Sequence, residues 1–412
     1  MQKTKPESEP LHRLESFMGD LTRRAALVSG ATALWCWPRQ DRSALPGAQA
    51  TFRLPFQAPS GQTPFRADAF IDHEPPLPYA HCPSICELSN GRMVCVWYAG
   101  SREGVRDVSI WLAESQALRQ PADDGQEISW GKPRIAIDRR TAMNDLDRFV
   151  NKVGNSVIFT AADGRLWLVY VTIAVGGWSG SSLNACSSID NGKTWSRSQR
   201  LTLSPFFNIS ELVRSAPVIL ESGEVGLPIY HECVGKFPEM LWLRPEGDKG
   251  ERLVASKSRM AGGRSLLQPA VVPIDGRHAL AFLRNHSDRR RIGLQHSANG
   301  GQSWSTPVET PLANADASIA VVRLSGGQLL LAFNNASHTR DNLCLALAPD
   351  GIGDWQLIAT LENAPGGCFA YPYMVQDSQG IVQLVYAWQM KRIRHVAVNE
   401  AWILAQPRKP LA

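Results

Sequence analysis

A six-bladed, all-β propeller is the fold this sequence predicts, on three observations. The first is a short box that recurs: Ser188-Ile-Asp-Asn-Gly-Lys-Thr-Trp195, Ser297-Ala-Asn-Gly-Gly-Gln-Ser-Trp304, and a worn copy from Ala348 through Asp350 to Trp355. In each copy the acidic or amide residue stands five before the Trp, which suits a tight turn whose side chain caps backbone N–H groups while the indole packs into a sheet. The second is a series of turn glycines, Gly91, Gly164, Gly223, Gly276, Gly326 and Gly380, spaced 73, 59, 53, 50 and 54 residues apart. Those intervals are the size of a four-stranded blade. The third is the apolar, strand-prone run on each side of the glycines, which makes a hairpin at every repeat.

The units follow in order. Blade one reads Pro83-Ser-Ile-Cys-Glu-Leu, then Gly91, then Arg-Met-Val-Cys-Val-Trp-Tyr. Blade two returns from Gly164 through Arg-Leu-Trp-Leu-Val-Tyr, and blade three enters through Pro217-Val-Ile-Leu before Gly223. Blades four, five and six repeat the pattern around Gly276, Gly326 and Gly380. An irregular stack of β-sandwiches is the alternative reading of the same hairpins. The 13 Trp residues among 412, with 44% apolar composition, supply the large side chains that packing between blades requires. The formal charge is +5; residues 1–50 hold seven basic and five acidic groups, leaving +3 for the rest. That balance carries no nucleic-acid footprint.

Residues 1–50 read as separate from the propeller, which is expected over 51–412. Arg23-Arg24 precedes a 13-residue, largely apolar stretch from Ala25 to Trp37, too short to span a bilayer, and Ala48-Gln-Ala50 offers a small-residue cleavage site. A secretory signal, of twin-arginine type, is therefore expected, and with it a periplasmic or extracellular location; an ordinary N-terminal helix is the other reading. Trp35 is too bulky a neighbour for Cys36 to be a lipid-anchor site. The eight cysteines show no metal-ligand spacing. Cys82 and Cys86, four apart in a strand, stand about 13 Å apart at strand rise, too far for a bridge. Cys95, Cys186 and Cys344 lie in apolar runs, where a thiol behaves as a small hydrophobe. No cofactor, no metal and no integral membrane span are expected.

In a propeller the innermost strand of every blade points the same end at the axis, so equivalent repeat positions meet around one mouth. Eight to ten residues before the turn glycines stand His81, Asn155, Arg214, Gln268, Asp316 and Tyr371, all polar or ionisable. Eight residues after the last four glycines stand His231, Arg284, Asn334 and Trp388, and Asp107 and Arg340 open third strands on the same face. The boxes then fall on the opposite face and are structural. A lone Arg is usually a solvated charge and a lone His a satisfied one. Arg214, Arg284 and Arg340 around one concavity nevertheless suit a carboxylate, because guanidinium forks match it bidentately.

The boxes, the six units, Arg284, Arg340 and Tyr371-Pro-Tyr-Met resemble the sialidase (neuraminidase) superfamily over nearly everything after residue 70, and the boxes are that superfamily's Asp-box turns. Gly-Trp-Ser-Gly-Ser-Ser from Gly177, Leu-Pro-Ile-Tyr-His-Glu from Leu227 and Gly-Lys-Phe-Pro-Glu from Gly235 are similar to bacterial predicted neuraminidases. The resemblance implies three arginines on the sugar carboxylate, a tyrosine nucleophile helped by a glutamate, and an aspartate that protonates the leaving group. Arg284 and Arg340 match two of the arginines, Tyr371 the nucleophile and Asp107 the acid. Two positions depart: His81 in His-Cys-Pro stands where Arg is usual, and Gln268 where the glutamate belongs. Gln cannot take a proton from a phenol, so the role passes to Glu232, to His231 or to the arginine field. Three functions follow as expectations: an exported glycoside hydrolase on sialic- or uronic-acid glycans, a uronate polysaccharide lyase with His231 or Tyr371 as base, or a non-catalytic glycan-binding propeller.

Overall fold

The computed structural model describes residues 50–411 except 55–57, 59–60, 72–76, 117–127, 204–208, 248–249, 263 and 350–352. The signal-type stretch, with its arginine pair and Cys36, and Asp350 of the third box lie outside those residues.

Six antiparallel sheets, each ordered along the chain from an innermost strand outward, form a six-bladed β-propeller. The innermost strands are Tyr79–Glu87, Lys152–Thr160, the split pair Glu211–Val213 and Val218–Ile219, then Leu266–Pro273, Ala320–Arg323 and Phe369–Gln376. The ring closes through the early strand Arg66–Ile71, which pairs antiparallel with Arg392–Val398 as the outermost strand of blade six. At the other end of the chain, Lys409–Pro410 adds a fifth strand to the edge of blade five.

The hairpin turns are nearly uniform. Leu88, Ala161, Leu220, Ile274, Leu324 and Asp377 each donate an amide to the carbonyl four residues on. In blades one, two, three and six the third residue after that donor is the expected glycine, left-handed at φ 77° (Gly91), 80° (Gly164), 86° (Gly223) and 78° (Gly380). Blades four and five differ by one residue. Gly327, at φ 92°, takes the left-handed place in blade five instead of Gly326, and in blade four the Asp275 carboxylate caps the amides of Arg277 and His278 at 2.7 and 2.8 Å.

The boxes lie at the same end as these turns: Ser188 is paired with Leu166 and Ser297 with Ala279, each just past its turn. Asp190 accepts from the Thr194 amide at 2.9 Å and hydroxyl at 2.6 Å, and Asn299 accepts from the Ser303 amide at 3.0 Å. Each indole fills the seam to the preceding blade. Trp304 packs with Phe52, Leu220, Met240 and Trp242, and Trp355 meets Phe282 edge-on at 5.7 Å. Trp195 leans on the cluster around Leu112, Leu166 and Cys186. Burying such rings is worth several kcal/mol per seam, so the blades are held by repeated aromatic wedges rather than by strand pairing across them. Of the cysteines, Cys82, Cys86, Cys95, Cys186 and Cys344 are buried thiols, and burial pushes Cys82 and Cys86 up to about 12.

Candidate active site

Where the innermost strands begin, their ladders break. The register shifts between His81 and Ser84, Gly154 and Ser156, Leu267 and Ala270, and Ala370 and Tyr373. At three of these points, and at the start of blade five, non-glycine residues adopt left-handed backbone: Cys82 (φ 48°), Gln268 (51°), Asp316 (52°) and Tyr371 (58°). Three of the four precede proline (Pro83, Pro269, Pro372), which has no amide to give the ladder, so a bulge costs no hydrogen bond there. Left-handed backbone costs a non-glycine residue roughly 1–2 kcal/mol, and four such positions at one end of one axis mark that end as the place where strain is spent on aiming side chains.

The aimed side chains form a chain of contacts around the mouth. The hydroxyl of Tyr230, on the returning strand Val225–His231, accepts from Asn155 Nδ2 at 3.2 Å and from Gln268 Nε2 at 3.1 Å. Gln268 Oε1 accepts from Arg284 Nη1 at 3.3 Å, and Arg284 Nε donates to Asp316 Oδ1 at 2.7 Å. Arg340 donates to the Asp316 carbonyl and lies with its guanidinium 5.5 Å from the centre of the Tyr371 ring. Tyr371 in turn meets His81 edge to face at 4.1 Å. The series runs from blade two through six to blade one.

Electrostatically the mouth is a positive site with one half-buried acidic anchor, Asp316. Burial works to raise the Asp316 carboxyl, but the bond and charge of Arg284, followed by those of His286 at 2.7 Å, outweigh it and hold the group below its ordinary value. Asp316 therefore fixes both arginines, one through its carboxylate and one through its carbonyl, and its oxygens are taken. Burial first, then the charges of Arg214, Arg340 and Arg284, hold His81 well below the usual imidazole value, so it is neutral.

Not every residue expected at the mouth faces it. Arg214, 2% exposed, reaches across the axis: Nη1 donates to the Pro83 carbonyl at 3.1 Å, and Nη2 donates to the carbonyls of Tyr371 and, at 3.0 Å, Pro372. It ties blade three to blades one and six and floors the mouth, with both terminal guanidinium nitrogens bonded to backbone carbonyls. Beyond it, on the turn side, the axis widens into a cavity of about 750 Å³ walled by residues such as Ile85, Ile158, Val271, Val321 and Met374. Asn334 is likewise a brace, donating to the Phe369 carbonyl at 2.8 Å. His231 stacks on Phe237 at 4.6 Å and accepts from the Val234 amide at 3.4 Å, which turns its ring away from the axis. Glu232 is paired with Lys236 at 3.2 Å. Asp107 is exposed in the loop after Met93–Gly100 and accepts from the Ser101 amide and hydroxyl at 3.2 and 3.1 Å. Trp388 stands at the edge of blade six against Phe70 and Phe369.

Three groups at the site escape the count of eight: Tyr230, Tyr98 and Glu103. Tyr98 and Tyr230 stand seven residues past their left-handed glycines, the position equivalent to Arg284 once the one-residue difference of blade four is allowed for. His231 is thus one step too far along its strand, on the other face. Glu103 shares the loop of Asp107 and accepts from the hydroxyls of Tyr79 at 3.0 Å and Tyr98 at 3.5 Å.

The profile of the BNR repeat-like domain matches residues 91–384. Among curated proteins none matches. Solved structures do. A "Hadza microbial sialidase" superposes with TM-score 0.64 at 15% identity over 79% of this chain and 67% of that one. The intramolecular trans-sialidase from Ruminococcus gnavus, in complex with oseltamivir carboxylate, gives 0.60 at 13% over 82% and 98%. A protein of unknown function from Dyadobacter fermentans gives 0.60 at 14% over 81% and 98%. At these identities the likeness is one of fold.

Proposed function

We propose that this chain, which belongs to the BNR repeat-like domain family, is an exported glycoside hydrolase of sialidase type that acts on acidic glycans. The observation that carries the reading is the placement of Arg284 and Arg340, locked by Asp316, beside the ring of Tyr371. Two guanidinium groups held by one fixed partner are organised before any ligand arrives, so little side-chain entropy is lost when they close on a carboxylate. Each charge-assisted hydrogen bond contributes roughly 1.5–3 kcal/mol, enough for two or three to hold a small acidic sugar.

In this reading Tyr371 attacks the anomeric carbon and Asp107 protonates the departing oxygen, which carries that proton away; the Asp107 carboxylate then takes a proton from the water that frees the sugar. The positive field of the arginines stabilises the phenolate as it forms. Gln268 orients Arg284 and meets Tyr230, a positioning part that an amide fills as well as a carboxylate. No described helix is long and apolar enough to cross a bilayer.

The test is product analysis by mass spectrometry after incubation with sialylated and uronate-containing oligosaccharides. Hydrolysis adds one water to the freed sugar. A product that instead lacks water and absorbs in the ultraviolet, from a carbon–carbon double bond conjugated to the carboxylate, would overturn the hydrolase reading in favour of a lyase. Binding with no transformation would leave a glycan-binding module.

A further inference from the structure

We propose that His81 is the base that takes the Tyr371 proton, and that Tyr98 and Glu103 hold it in the tautomer this needs. The assignment rests on the glycosidase reading of Tyr371 and fills the gap that Gln268 leaves.

The His81 ring is enclosed, with 2% of the residue exposed, and its two nitrogens meet opposite surroundings. Nδ1 is 2.6 Å from the Tyr98 hydroxyl, which is 3.5 Å from a Glu103 oxygen; the other Glu103 oxygen accepts from Tyr79 at 3.0 Å. Nε2 is buried without any hydrogen-bond partner. The ring stands against Tyr371, whose hydroxyl has no hydrogen bond among the described residues.

Two arrangements of the protons are available. In one, Tyr98 donates to Nδ1 and a buried Nε2–H has no hydrogen-bond acceptor. In the other, Nδ1–H donates to Tyr98, Tyr98 donates to Glu103, and Nε2 keeps a lone pair. The charges decide. A carboxylate at one end draws the hydroxyl proton toward itself, while the guanidinium groups of Arg214, Arg284 and Arg340 at the other favour a lone pair over an N–H dipole. Every proton in the row then points at Glu103, and the orphan Nε2 is left as a lone pair on a ring that packs edge to face against Tyr371. This is the logic of a carboxylate-oriented histidine with a tyrosine inserted between the two.

The step balances. The Tyr371 proton moves to Nε2, the phenolate forms the bond to the anomeric carbon, and the glycosidic bond breaks with its electron pair and the Asp107 proton going to the leaving oxygen. The resulting imidazolium keeps Nδ1–H on Tyr98, with the Glu103 charge behind it. When water displaces the tyrosine, the proton returns from Nε2 to the phenolate. His81 would touch the reacting oxygen; Tyr98 and Glu103 act through it.

The experiment uses the full chain with 15N-labelled histidine. Long-range proton–nitrogen spectra report the tautomer of each of the nine histidines, and the His81 signal is the one lost in His81→Gln. The wild type is expected to show a protonated Nδ1 and a bare Nε2, and Tyr98→Phe to release that preference. In turnover of a sialoside, His81→Gln is expected to lose about 10²- to 10⁴-fold in kcat, the usual reach of a general base. Tyr98→Phe should lose less, and KM should move little in both. A wild type inert toward every acidic glycoside would overturn the glycosidase reading and this role with it. A wild type that turns over while carrying its proton on Nε2, or while His81→Gln and Tyr98→Phe keep their kcat, would overturn the role of His81 alone.

Discussion

Arg214→Met is expected to damage the fold more than the carboxylate site. The guanidinium makes three hydrogen bonds to the carbonyls of Pro83, Tyr371 and Pro372, all in a region where Arg214 is 2% exposed. At about 1.5–3 kcal/mol for each charge-assisted bond, the gross loss is roughly 4.5–9 kcal/mol. Removing a buried charge returns several kcal/mol of desolvation, so the net cost is about 3–5 kcal/mol, the range found when a buried ionic group loses its match. Unfolding entropy near 2.1 cal/mol/K per residue, over the roughly 350 residues of the propeller, is about 0.7 kcal/mol/K, and the melting temperature should fall by about 4–7 °C. Scanning calorimetry of Arg214→Met beside Arg284→Lys checks this. Arg284→Lys should melt close to wild type and bind free acidic sugars more weakly, because a point charge cannot reproduce a fork. An Arg214→Met protein that melts like wild type yet has lost acidic-sugar binding would refute the bracing role and return Arg214 to the clamp.

Other outcomes follow from the same geometry. Trp304→Ala should cost about 3–5 kcal/mol of stability by opening the seam between blades three and four, with kcat/KM of the folded fraction unchanged; loss of activity at unchanged melting temperature would put the boxes on the wrong face. Glu239 is pushed up to about 7 by burial and by the charge of Glu211, although both carboxylates pair with Lys257, at 3.3 and 2.5 Å. Because the folded value lies above the unfolded one, that carboxyl's contribution to stability is complete below about 4.5 and is lost as pH rises toward 7. Glu239→Gln should therefore raise the melting temperature at pH 8 relative to wild type and leave it nearly unchanged at pH 4.5, followed by thermal melts across that window. N-terminal sequencing of secreted protein should begin near Thr51, and Arg23→Lys with Arg24→Lys should block export; a mature protein retaining Arg23 would refute the signal.

The repeat was readable because its markers are local. A left-handed glycine, a hairpin of apolar residues and a box each impose themselves within ten residues, and the six hairpins fix the count. The closing strand was not readable, since Arg-Ala-Asp-Ala-Phe-Ile has a weak pattern and its partner Arg392–Val398 lies at the other end of the chain. At the mouth, residues before the turns were found because the bulges keep equivalent positions together: His81, Gln268, Asp316 and Tyr371 all meet there. The returning strands were less forgiving. A glycine displaced by one residue in blades four and five makes a count of eight right for Arg284 and one too many for Tyr98 and Tyr230, and a single step along a strand turns a side chain to the other face. The role of Arg214 was hidden for another reason: no spacing reveals that a guanidinium donates to backbone carbonyls two and three blades away.

Whether Tyr371 becomes bonded to sugar is the most direct question to put to the protein. An acidic glycosyl fluoride carrying a second fluorine beside the anomeric carbon slows both oxocarbenium-like steps, the second enough for the glycosyl-enzyme to accumulate. Peptide mass spectrometry after brief incubation should place the added sugar mass on the peptide containing Tyr371-Pro-Tyr373, specifically on Tyr371, with Tyr371→Phe unlabelled. Labelling of another residue, or a wild type that releases fluoride while every peptide stays unmodified, would contradict a tyrosine nucleophile at this mouth.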